Sequence, residues 1–102
     1  MSTESEYTKL VGYVSGKYSA VEGLMFGKKC IKIGGKVGVV LLEDAIVFKL
    51  PAPALKNALA LAGSINWDPS GRGRAMKEWA VVKADHSAKF EEFADAAAGY
   101  VG

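Results

Sequence analysis

The sequence predicts an α+β domain: an antiparallel sheet of about five strands with helices packed on one face. Three observations point there. Apolar residues recur at helical spacing near both ends of the chain, and the period shortens toward strand-like alternation between Lys28 and Leu50. Within that stretch Gly34-Gly35 is a two-residue hairpin signal. At 102 residues there is room for one core, so residues 1–102 are expected to form a single domain.

Tyr7, Val11, Val14 and Tyr18, with Leu10 beside them, form a helical stripe. Ser2 or Thr3 is placed to cap that helix, and Glu4 and Glu6 suit the positive end of its dipole. From Lys28 to Ile33, Ile31 and Ile33 alternate with Cys30 and Lys32. Gly34 and Gly35 reach positive φ freely and turn the chain into Lys36–Leu42, whose apolar, β-branched run suits a central strand covered on both faces. Glu43-Asp44 turns it again and Ala45–Leu50 returns, completing a meander.

Pro51 and Pro53 cannot extend a central strand but suit the start of a helix, whose apolar face is Leu55, Ala58, Leu59 and Ala62. Gly63 is read as its left-handed cap. Ser64–Trp67 is read as a short strand, Asp68–Arg74 as a loop rich in turn formers, and Lys77–Lys83 as a strand. In that strand Trp79 and Val81 share one face, Ala80 and Val82 the other. Asp85 is placed to cap a last helix burying Phe90, Phe93, Ala94, Ala97 and Val101, with Glu91, Glu92 and Asp95 toward water. The expected order is α-β-β-β-α-β-β-α. Trp79, Val81, Phe48, Val39, Phe90 and Phe93 are expected to form one cluster joining the sheet to the last helix.

Composition bounds the function. With 50% hydrophobic and 24% charged residues the chain is globular rather than disordered. Its formal net charge of +2 makes no global demand for a nucleic-acid or membrane partner, so any charge argument is local. Cys30 is the one cysteine, which excludes an internal disulfide and fits a reducing compartment. Met1–Glu6 lacks the order of a signal peptide, and Val37–Leu42, the longest apolar run, is far below the roughly 20 residues that span a bilayer. A cytoplasmic protein without membrane contact is expected.

Catalytic and cofactor motifs fail in turn. Gly35-Lys36 resembles the end of a phosphate loop, but Cys30 stands where its first glycine belongs and Val37 replaces the Ser or Thr. Gly71-Arg72-Gly73-Arg74-Ala75-Met76 lacks the third glycine of a dinucleotide loop and leads into a strand. His86 and Cys30, the single residues of their types, cannot build a zinc site. Cys30 reads as a small packing residue and His86 as a solvated one. No carboxylate pair suits acid–base work, so no enzyme, cofactor or metal is expected.

The asymmetry is basic. Lys28, Lys29, Lys32 and Lys36 fall within nine residues that hold no acid, and Arg72, Arg74 and Lys77 come from the glycine-rich loop and its exit. Such a loop can converge backbone N–H groups and guanidiniums on a phosphate, although glycines and arginines also serve an exposed turn. Trp67 and Trp79 flank it and are expected in the core.

Met25-Phe26-Gly27, the Gly34-Gly35-Lys36 hairpin, Val47-Phe48-Lys49-Leu50, Asp68-Pro69 and Gly73-Arg74-Ala75-Met76-Lys77-Glu78-Trp79 resemble the small bacterial proteins grouped with the N-terminal domain of the competence regulator TfoX (Sxy) and with the MmcQ/YjbR proteins. The resemblance spans most of the chain and implies a compact α+β domain of bacterial origin with a regulatory or DNA-binding label. A role carried by the separate C-terminal domain of the competence regulator does not transfer to these residues. YjbR-like proteins share a frataxin-like fold, but the first helix offers only Glu4 and Glu6, so iron binding does not transfer either. The leading expectation is a non-enzymatic domain binding an anionic partner, such as nucleic acid or another polyanion, through Lys28, Lys29, Lys32, Lys36, Arg72, Arg74 and Lys77. The alternative is a protein-interaction or oligomerisation module, binding a protein partner or forming a homodimer through an exposed sheet edge or apolar patch, with no nucleic-acid binding and the basic residues incidental.

Overall fold

The computed structural model describes residues 3–25, 27–68 and 76–101. Helix α1 (Thr3–Lys17) is followed by β1 (Ala20–Met25), β2 (Lys28–Ile33), β3 (Lys36–Leu41) and β4 (Ala45–Lys49). Then come α2 (Ala52–Leu59), β5 (Ile65–Trp67), β6 (Met76–Lys83), a 3-10 segment (Ala84–Lys89) and α3 (Phe90–Val101). The strands form one six-stranded sheet in the order β1-β2-β3-β4-β6-β5, and every neighbouring pair is antiparallel. The α+β class stands, with one strand more than expected. β1 was hidden because Gly23 interrupts its apolar pattern and it pairs on one side only.

Local chemistry accounts for the joints. Gly34 and Gly35, at φ 62° and 85°, make the β2–β3 turn. Pro51 precedes α2 in an extended conformation, as a residue without an N–H can at a helix start. Gly63 is left-handed at φ 81°, but α2 has already closed through the Ala60 N–H donating to the Lys56 carbonyl, so Gly63 turns the following loop instead of capping the helix. Asp85 is not a cap: the 3-10 turn starts after Lys83 with no side-chain cap, and α3 begins five residues beyond Asp85 at Phe90. Thr3 opens α1, and Ser2 lies outside the described residues.

The sheet is apolar on both sides, which splits the expected core in two. On the helix face Phe48 meets Phe90 and Phe93, each at 5.7 Å between ring centroids. Val39, Ile46, Val82 and the buried apolar residues of all three helices belong to the same cluster. Trp79 and Val81 are not in it. They point to the opposite face with Cys30, Val40, Ala45, Val47 and Trp67, a cluster whose buried members come from strands alone. The reason is strand alternation: Trp79 and Val81 are one step out of phase with Ala80 and Val82, which face the helices. The two indoles pack at 5.6 Å, tilted by 55°.

β3 is central, as expected, and it carries a bulge. Ile31 pairs with Val39 but Lys32 with Val37, so Gly38 is the extra residue. A Cβ on Gly38 would lie 3.1 Å from Ile33 Cδ1 and 3.2 Å from Val101 Cγ2. The missing side chain is what lets α3 sit this close to the sheet.

Candidate anion-binding surface

Strand pairing and alternation place each lysine. Lys28 pairs with Met25 and Lys32 with Val37, and both partners pack against the opposite-face cluster. Directly paired residues share a face, so Lys28 and Lys32 belong to the opposite face. Lys29 pairs with Leu24 and Lys36 with Ile33, which puts those two on the helix side. The four hairpin lysines thus divide two and two.

They divide by end as well. Lys28 and Lys29 begin β2, while Lys36 lies at the other end beyond the glycine turn, about 17 Å away at 3.3 Å per residue. β3 and β6 are each antiparallel to β4 and so run the same way. The start of β3 at Lys36, the end of β4 at Lys49 and the start of β6 at Lys77 therefore share one end of the sheet. Arg72 and Arg74 lie outside the described residues, whereas Lys77 is exposed.

Lys49 is the residue that sequence reading missed. It falls on the opposite face, where its ammonium sits 5.7 Å from the centre of the Trp79 ring. Lys83 shares that face, paired with Ala45, and makes an ion pair of 2.9 Å with Asp44. The two carboxylates on strands go the other way. Glu22 pairs with Ile31 of the helix-face cluster, and Glu78 accepts a hydrogen bond from the Tyr100 hydroxyl of α3. On its strands the sheet therefore presents Lys28, Lys32, Lys49 and Lys83 on one face and its acids on the other. Among the described residues Lys28, Lys29, Lys32, Lys36, Lys49 and Lys77 form no ion pair. The signal available in the sequence was parity: in Ala45–Lys49 the lysine is in phase with Ala45 and Val47.

The other reactive groups are buried or bonded within the fold. Cys30 is fully buried, and burial pushes its thiol up despite the opposing charge of Lys32. His86 places Nε2 2.9 Å from the Ala62 carbonyl, tying the 3-10 turn to the loop after α2. Asp95 of α3 accepts hydrogen bonds from the Tyr13 hydroxyl at 2.7 Å, the Tyr18 hydroxyl at 2.8 Å and the Lys17 ammonium at 3.0 Å. The Tyr7 hydroxyl is buried with no hydrogen-bond partner among the described residues, and its ionisation is raised by burial first and by the nearby Glu22 carboxylate second. Among the described residues no group of three or more His, Cys, Asp or Glu side chains could hold a metal ion, and no helix is long and apolar enough to cross a membrane. No family model matches the chain, and neither a curated protein nor a solved structure shows significant similarity to it.

Proposed function

We propose that this chain is a non-enzymatic cytoplasmic binding domain whose partner is a polyanion, nucleic acid foremost, in a regulatory role. The observation that carries this reading is the sorting of charge on the sheet. Lys28, Lys32 and Lys49 stand on one face without ion-pair partners among the described residues, while Glu22 and Glu78 lie on the other. A face of one sign raises the local concentration of an oppositely charged chain without requiring a large net charge. The spacing of these lysines over both ends of the sheet suits an extended ligand more than a small one. The motif likeness to the TfoX N-terminal group supports the regulatory part of the proposal and a bacterial source.

The test is anisotropy of a labelled 20-base-pair duplex, a length of about two turns, titrated at several salt concentrations. The logarithm of the binding constant should fall linearly with the logarithm of salt, and Lys32→Ala or Lys49→Ala should each lower the slope by about one. Lys56→Ala, exposed on α2, should leave it unchanged. Absence of binding to duplex and to heparin at low ionic strength overturns the proposal.

A further inference from the structure

The sheet has two edges, the six-residue β1 and the three-residue β5. An edge strand offers unpaired N–H and C=O groups to any extended chain, and natural sheets usually blunt it. β5 is blunted, being short and losing register between Asn66 and Trp67. β1 is not. Its ladder with β2 runs unbroken over all six residues, it contains no proline, and it exposes Val21 at 63% and Leu24 at 69%.

The phase of that ladder follows from one bond, the Gly34 N–H donating to the Ser19 carbonyl. In an antiparallel pair inward-bonded residues alternate with outward ones. Val21, Gly23 and Met25 therefore bond toward β2, while Ala20, Glu22 and Leu24 turn their main-chain groups outward. Those outward groups have no hydrogen-bond partner among the described residues.

The chemistry around the edge says what fits it. Gly23 has no side chain, and Lys32 occupies the space: a Cβ at Gly23 would lie 3.0 Å from Lys32 Cε and 3.5 Å from its Nζ. The ammonium thus crosses β1 at the margin of the sheet. On the helix face a shallow hollow of about 260 Å³ is bounded by Glu22, Gly23, Leu24 and Lys29. A second copy of the chain suits this edge poorly. The two-fold register that uses every outward group puts Glu22 opposite its own copy, a like-charge pair that destabilises, and brings two sets of hairpin lysines together.

We propose that β1 takes an extended, alternately acidic and apolar segment of another protein as a seventh strand. A carboxylate of that segment sits opposite Gly23, where facing Cα atoms are about 4.5 Å apart, and meets the Lys32 ammonium. The next acid of the segment, two residues along and so on the same face, lies opposite Met25 toward Lys28, and the apolar side chains of its other face cover Leu24. Main-chain bonds supply affinity and the lysines select the sequence. The inference goes beyond the reading above, because it concerns the edge of the sheet and a protein ligand rather than a face and a polyanion.

The experiment uses a capped ten-residue peptide alternating glutamate with valine and threonine, followed by amide exchange on the whole chain. Saturating peptide should slow exchange at Ala20, Glu22 and Leu24 by about tenfold or more, while Val21, Gly23 and Met25, already bonded, change little. Lys32→Ala should weaken binding about two- to fivefold, the range of an exposed ion pair. Gly23→Val, which displaces Lys32, should weaken it too. A peptide N-methylated at its valines and threonines, the residues whose N–H groups face β1, should not bind. Equal binding of the methylated peptide, or no new protection at Ala20, Glu22 and Leu24, overturns the proposal. So does protection of those amides in the free protein together with a dimer in sedimentation. Duplex binding that depends on Lys49, in a protein that ignores the peptide, would sink this inference and leave the preceding one standing; peptide binding without duplex binding would do the reverse.

Discussion

Gly38→Ala tests the close approach of α3 to the sheet. Gly38 is not among the glycines at positive φ, so alanine is conformationally allowed and by itself would stabilise by about 0.4–1 kcal/mol through the unfolded chain. The new methyl would lie 3.1 Å from Ile33 Cδ1, 3.2 Å from Val101 Cγ2 and 3.6 Å from Ala97 Cβ, whereas carbon atoms prefer about 3.5–4.0 Å. Ile33 can turn its terminal methyl aside. Val101 cannot, since branching at Cβ fixes its rotamer in a helix, so α3 itself must move. Overpacking of this kind costs about 1–3 kcal/mol, and the net loss should be about 1–2 kcal/mol after the unfolded-state gain. Val101→Ala alone should cost a similar amount in lost burial, about 1–2 kcal/mol. The two should not add: removing Cγ2 makes room for the new methyl, so the double variant should recover about 1 kcal/mol of the sum. Urea unfolding followed by tryptophan fluorescence measures all three. A stabilised Gly38→Ala variant, or full additivity with Val101→Ala, would refute this account of the bulge.

Three further outcomes follow from the packing. Phe93→Ala, removing a ring that is 2% exposed and in contact with Phe48, should cost about 3–5 kcal/mol in the same urea titration; a loss under about 1 kcal/mol would contradict the placement of α3. Cys30 should react slowly with a thiol reagent in the native protein and fast after unfolding, and rapid native modification would show the thiol to be accessible. Burial opposes ionisation of Asp95, but hydrogen bonds from Tyr13, Tyr18 and Lys17 outweigh it and hold the carboxyl below its usual range. Its stabilising effect is then complete above the unfolded value near about 3.9 and fades as pH falls through the lower folded value. Asp95→Asn should be destabilised at neutral pH, with the gap from the parent closing in acid. A gap of constant size from about pH 7 to about pH 2 would show that the carboxylate charge is not what matters there.

The parts of the fold legible in the sequence were those with an unambiguous local signal. Gly34-Gly35 marked its turn because few other dipeptides reach that backbone, and the spacing of Phe90, Phe93 and Ala97 marked the buried side of α3. Where both faces of a strand are apolar, alternation says that residues differ in direction but not which layer each joins. That is why Trp79 and Val81 could be paired correctly yet assigned to the wrong cluster. β1 escaped notice because an edge strand need not be apolar throughout, and its Gly23 breaks the pattern for a reason only Lys32 explains. The lysine cluster suffered from the reverse effect. Lys28, Lys29, Lys32 and Lys36 are neighbours in sequence, yet a strand sends alternate side chains apart and carries its ends far from each other. Lys49, solitary among apolar residues in the sequence, has its aromatic partner in Trp79, thirty residues on.

The contact of Asp95 with Tyr13, 82 residues earlier, has a consequence for synthesis. α1 is made before the sheet and α3 after it, yet both close the same side of it. Until α3 has left the ribosome, Val39 and Phe48 lack the rings that cover them, and Tyr7, Leu10 and Val14 have no finished core to enter. The four consecutive strands β1 to β4 can pair as they emerge, since antiparallel neighbours need only short turns, but the helix layer is complete only once α3 has been made. A sheet made before α3 thus waits with one face uncovered, and that half-made species is the one chaperones would meet.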